Sequence, residues 1–192
     1  MSLHRSCEVL LPAWLDQFID AWKQPLETSE QRMHLAVRLA AENVEHHTGG
    51  PFGAIVVEDH SNRLLSVGVN LVTSLDLSFA HAEMVAVSLA QSAIKNWNLG
   101  STGGAQLVTS CEPCAMCFGA VPWSGVNSMI WGAGKEDAEQ AGFDEGDKPA
   151  DWVESLERRG IRTQGGVLRE EARAVLQHYA KRDGAIYHPE KN

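Results

Sequence analysis

Residues 105–133, "AQLVTSCEPCAMCFGAVPWSGVNSMIWGA", constrain the fold more than any other stretch. An apolar strand runs into a helix opened by a cysteine cluster, and a second apolar strand follows at once. Strands joined by a helical crossover lie parallel in one sheet, and such a sheet is covered on both faces. The rest of the chain supplies the covering layers. "TSEQRMHLAVRLAAENVEHH" begins with Thr28 or Ser29 as a capping residue, carries Met33, Val37, Ala40 and Val44 at helical spacing, and stops at "TGGP". "GAIVVED" and "LLSVGV" predict a hairpin across "HSNR", and the segment from Ala82 to about Ile94 predicts a largely buried helix. A short helix around "PAWLDQFIDAW" precedes them. A helix at "DWVESLERR", a short strand in "IRTQGGVL" and an amphipathic helix over "REEARAVLQHYAKRDG" close the chain. The expected architecture is α/β, a three-layer α/β/α sandwich around a mixed sheet of about five strands. "KEDAEQAGFDEGDKP", rich in acids and glycine, reads as an ordered loop over a site.

With 192 residues, the chain is expected to form one domain over 1–192, with residues 1–27 as a peripheral extension. Sixteen basic against twenty-five acidic side chains leave a formal charge of −9, which argues against a protein that grips a nucleic-acid backbone. The apolar run "VLLPAWL" contains Pro12 and is too short to span a bilayer, so no membrane is expected and a cytoplasmic location is. In a reducing cytosol, clustered cysteines argue for metal or catalysis more than for disulfides. Cys7, far from the others, reads as a free thiol.

"CEPCAMC" at 111–117 offers three thiols. A structural site of cysteines alone needs a fourth, and only Cys7 remains. A redox C-x-x-C would leave "HAEMVAV" at 81–87 without a role. His81 and Glu83 open one helix as Cys114 and Cys117 open the next. Two such helix ends side by side bring an imidazole and two thiolates to one point, and the helix dipoles favour the thiolates. Three ligands leave a position for water, with Glu83 near enough to touch it without ligating.

"HAE" followed by "EPCAMC" resembles the signature of the zinc-dependent cytidine deaminase superfamily, and the resemblance extends from about residue 28 onward. It implies a zinc ion held by His81, Cys114 and Cys117, with Glu83 as proton shuttle and Cys111 outside the ligand set. "PFGAIVV", "VGVN" and "GAVPWSGV" resemble the purine-acting branch, and "AGFDEG" with "DGAIYH" resembles the bacterial guanine deaminase group. On that resemblance the substrate is a small nucleobase, guanine first. Phe52 and Asn70 hold the base, Trp123 supplies an apolar wall, and Glu145 meets the edge carrying N–H donors. Asp144 lies beside Glu145, and Tyr187 caps the ligand from the tail, in cis or from a partner, since a homodimer is also implied. Pro122 departs from the pattern next to Trp123, which leaves open guanosine, cytosine or cytidine, a pterin or an aminotriazine. Adenosine in tRNA and an inert zinc-binding scaffold are the remaining alternatives.

Overall fold

The computed structural model describes residues 3–187. Two helices come first, α1 (Trp14–Ala21) and α2 (Ser29–Glu45), then the hairpin β1 (Gly53–Glu58) and β2 (Leu64–Val69). A four-residue helix α3 (Val72–Leu75) leads to α4 (Ala82–Ile94), β3 (Ala105–Cys111), α5 (Ala115–Ser124) and β4 (Ser128–Ala133). The remainder is α6 (Lys135–Gln140), α7 (Trp152–Glu157), β5 (Arg162–Gln164) and α8 (Arg169–Lys181).

The five strands form one sheet in the order β2-β1-β3-β4-β5. β1 pairs antiparallel with β2 and with β3, whereas β3–β4 and β4–β5 are parallel. The sheet is therefore mixed, as expected. Alternate side chains divide its two faces. Ile55, Val57, Val108 and Ile130 pack with Met33, Leu35 and Leu39 of α2 and Leu176 of α8. Ala54, Val56, Leu107 and Met129 pack with Ala82, Ala86 and Ala90 of α4, Val121 of α5 and Leu156 of α7. These are the three layers.

Local chemistry explains the element ends that matter. Thr28 caps α2 by accepting from Gln31 N at 3.3 Å, while Gln31 Oε1 accepts from Thr28 N at 3.1 Å, a reciprocal capping box. Glycine at position 68 seats α4 on the sheet, because a Cβ there would lie 2.2 Å from Ala82 O and 2.6 Å from Ala86 N. That close approach fixes the first turn of α4, where His81 and Glu83 sit. The N-terminal extension is not loose over its helix. Leu15 is buried in the core, and Trp14 Nε1 donates to Thr48 Oγ1 at 3.0 Å.

The segment 135–149 is not wholly a loop, since Lys135–Gln140 is helical. The Asp137 carboxylate accepts from Gly134 N at 2.8 Å and pairs with Arg169 Nε at 2.8 Å, closing the first turn of α6 and tying it to α8. The stretch from Ala141 to Pro149 is the loop proper.

Candidate active site

The carboxyl end of β3 and the amino ends of α4 and α5 converge, the place where open parallel sheets leave a crevice. His81 is the N-cap of α4 and Cys114 the N-cap of α5, both with extended backbone, and Cys117 follows within the first turn of α5. Cys114 Sγ lies 3.5 Å and Cys117 Sγ 3.6 Å from His81 Nδ1. A tetrahedral zinc with Zn–S of ~2.3 Å and Zn–N of ~2.05 Å sets nitrogen and sulfur donors ~3.6 Å apart, so both nitrogen–sulfur separations fit the ion. Among the described residues, this is the cluster of candidate ligands found within reach of one ion. The hydrogen bond from Cys117 draws the Cys114 thiol down to about 4, and that from His81 acts in the same sense against burial. Cys117 moves the other way, because in that pair it keeps the proton. A bound cation removes the conflict by favouring both thiolates.

Two acids share the cavity with the triad. It measures about 360 Å³ and is lined in part by Phe52, Asn70, Glu83, Phe143, Glu145 and Tyr187. Glu83, on the first turn of α4, is 8% exposed, and burial raises its carboxyl, with the neighbouring Cys114 adding to the effect. Glu145 is 5% exposed, and burial pushes it up to about 8. Burial thus holds both acids toward their neutral forms.

The other expected residues divide. Phe52 packs edge-on against Phe143 at 4.8 Å, and Phe143 lies 5.5 Å from the Tyr187 ring. Phe143 was legible only as the one aromatic in the acid-rich loop. Asn70 is fully buried, donates from Nδ2 to Tyr187 Oη at 2.7 Å and accepts from Val72 N at 3.2 Å. Asn43 holds that corner, donating to Asn70 O at 2.9 Å and Gly50 O at 2.8 Å. Tyr187 reaches the cavity from its own chain, with its ring 6.0 Å from that of His81. Asp144 is exposed at the rim, where Oδ1 accepts from Gly146 N at 2.9 Å.

Trp123 does not wall this cavity. It is 80% exposed near the far end of α5 and absent from the lining. Nine residues beyond Cys114, at ~100° per residue, it points to the opposite side of the helix. Pro122 sits inside the last turn of α5, where it removes one backbone donor without ending the helix. Cys111 is buried, 3.8 Å from Gly134 O, and belongs to the core rather than the ligand set. A second cleft of about 660 Å³, between Arg32 and Arg162 at the amino ends of β3 and β4, holds no such cluster among the described residues.

The family model of the cytidine and deoxycytidylate deaminase zinc-binding region matches residues 26–133, more than half of the chain. The chain is 39% identical over 122 residues to the guanine deaminase of Bacillus subtilis, covering 60% of this chain and 75% of that one. The solved structure of guanine deaminase from Nitrosomonas europaea superposes with a TM-score of 0.86 at 40% identity, covering 94% of this chain and 100% of that chain. A structure of NE0047 in complex with 2,6-diaminopurine gives 0.86 at 42% identity, over 94% of this chain and 96% of that chain. Ligand geometry, sheet order and sequence agree, and the chain belongs to the cytidine and deoxycytidylate deaminase zinc-binding family.

Proposed function

We propose that the chain is a zinc-dependent aminohydrolase converting guanine and water to xanthine and ammonia. The observation that carries the choice of base is the second buried acid, Glu145, in the same cavity as Glu83 and the ligand triad. Guanine presents N1–H and a 2-amino N–H side by side, and Glu145 in its ionised form, which a bound cation favours against burial, accepts both at once. Adenine and cytosine carry a bare ring nitrogen beside their amino group and mismatch it. Similarity to the guanine deaminases of Bacillus subtilis and Nitrosomonas europaea supports the same base. The formal charge of −9 weighs against a tRNA substrate.

In this reading His81, Cys114 and Cys117 hold the zinc. Zinc bound there lowers the pKa of water from ~15.7 toward ~7 and so supplies a nucleophile at neutral pH. Glu83 takes one proton of the attacking water and hands it to the ring nitrogen beside C2, then takes the second from the hydroxyl now on C2 and gives it to the departing amine. One C–O bond forms, one C–N bond breaks, and the amine leaves as ammonia. Phe52 and Phe143 enclose the base, and Asn70, with Tyr187 over it, fixes the far edge. The test is ammonia release by zinc-loaded protein over guanine, guanosine, adenine, cytosine, cytidine and an aminotriazine, with Glu83→Ala as blank. Guanine is expected to dominate, and turnover of another ring with none of guanine overturns the assignment.

The single-domain organisation over 1–192, a cytoplasmic location and a role in purine breakdown belong to the same reading. The free thiols of Cys7, Cys111, Cys114 and Cys117 support the reducing compartment, and no helix among the described residues is long and apolar enough to cross a membrane. Homodimerisation is supported by the outer face of α5. Met116 and Trp123, seven residues apart on one side of the helix, are 40% and 80% exposed, with Gly119 between them open to solvent. Met116 also borders the cavity, so a partner there covers its mouth. Trp123→Glu is expected to shift sedimentation from dimer to monomer at micromolar concentration, and a wild-type monomer at the same concentration removes the pairing.

A further inference from the structure

We propose that Lys148 is a positioning residue for Glu145, clamping the loop that carries this acid onto the turn that presents Cys114. This inference rests on the guanine reading above, in which Glu145 touches the base.

Lys148 is a cation whose side chain is only 3% exposed. A buried ammonium is retained only where its protons and charge are answered. Lys148 Nζ binds the Glu112 carboxylate and donates to Pro113 O at 2.6 Å, and it lies 4.7 Å from the centre of the Trp152 ring. Glu112 and Pro113 are the two residues before Cys114, and Lys148 comes three residues after Glu145. The contact thus closes a bracket around both halves of the site.

A second clamp lies on the other side. Ala115 N donates to Glu145 O at 2.9 Å, which fixes the acid's own backbone to the first turn of α5. Between the clamps the chain turns at Gly146, whose φ of +66° is open to glycine, and where a Cβ would come 3.0 Å from Ala115 Cβ. Upstream, Phe143 is anchored against Phe52 and Tyr187. Glu145 is therefore held from three directions, and only Lys148 does so through a side chain that never reaches the cavity lining. The Glu112 carboxylate also accepts from Lys135 N at 3.4 Å, extending the bracket to the start of α6.

The test is a double-mutant cycle on zinc-loaded protein with Lys148→Met and Glu145→Gln. Methionine keeps the unbranched stem in its channel and removes the charge. If Lys148 acts through Glu145, Lys148→Met lowers kcat/KM for guanine about 30-fold alone but less than about 3-fold in the Glu145→Gln background. Zinc content, set by His81, Cys114 and Cys117, stays unchanged. Glu112→Gln combined with Lys148→Met removes both charges, so it regains thermal stability but not activity. The affinity for a guanine analogue that is not turned over, measured by calorimetry, follows the same cycle where Glu145→Gln is too slow to assay. Equal losses from Lys148→Met in both backgrounds overturn the proposal. A Glu145→Gln variant as active as wild type instead overturns the underlying reading of Glu145, and the two failures are distinguishable.

Discussion

Glu83→Gln is expected to yield a folded, zinc-loaded protein whose guanine turnover has fallen about 10⁴-fold, equivalent to about 5 kcal/mol of activation free energy. The separation of fold from activity follows from where the residue sits. Glu83 lies in the first turn of α4, two residues after the ligand His81, and is 8% exposed. Burial raises its carboxyl, so the native structure already tolerates the neutral form that glutamine imitates. What glutamine cannot do is accept a proton from water and return it. Zinc content by atomic absorption is expected to match wild type, whereas Cys114→Ser is expected to lose both metal and activity. A Glu83→Gln protein with full zinc and turnover within tenfold of wild type would remove Glu83 from the proton path.

The zinc cluster was legible because it is local in sequence on each side. A strand end, a proline and two cysteines three apart define one helix start, and H-x-E defines the other. The sheet was legible for a related reason, since apolar runs such as "AIVV" and "SMIW" are short and bounded by turns. Features made by distant partners were not. The helix at 135–140 has no apolar face to betray it, and Arg169, 32 residues away, stabilises its first turn through Asp137. Lys148 and Glu112 are 36 residues apart and look like ordinary surface charges until the loop folds back. Trp123 was misplaced for another reason. Its motif lies close to Cys117 in sequence, but helical arithmetic turns it away from the ligands, and aromatic character alone does not say which side of a helix faces a pocket.

Glu145→Gln is expected to turn guanine over far more slowly than wild type yet to be more stable in mild alkali. The carboxyl titrates near 4.5 when the chain is unfolded and near 8 in place, chiefly because it is buried. Between those values the folded state binds more protons than the unfolded one, so stability contributed by the neutral acid is fully present below 4.5. It is lost as pH rises toward 8 and is then constant. Glutamine has nearly the same shape and does not titrate, so the variant escapes that loss. After relaxation and water entry the gain is about 1–3 kcal/mol, a few degrees in melting temperature at pH 8.5 with little difference at pH 4.5. Zinc counters the effect, because a nearby cation favours the ionised acid, so the gap between the proteins is expected to narrow when metal is bound. Turnover falls in the same variant by about 10²–10³-fold, since an amide offers one acceptor and sets its own N–H₂ against the donors of guanine. Melting curves at both pH values, with and without zinc, read the stability, and ammonia release reads the activity. A variant that melts like wild type throughout would place Glu145 in contact with water rather than enclosed. One that gains stability and keeps full activity would locate guanine's donor edge elsewhere in the cavity.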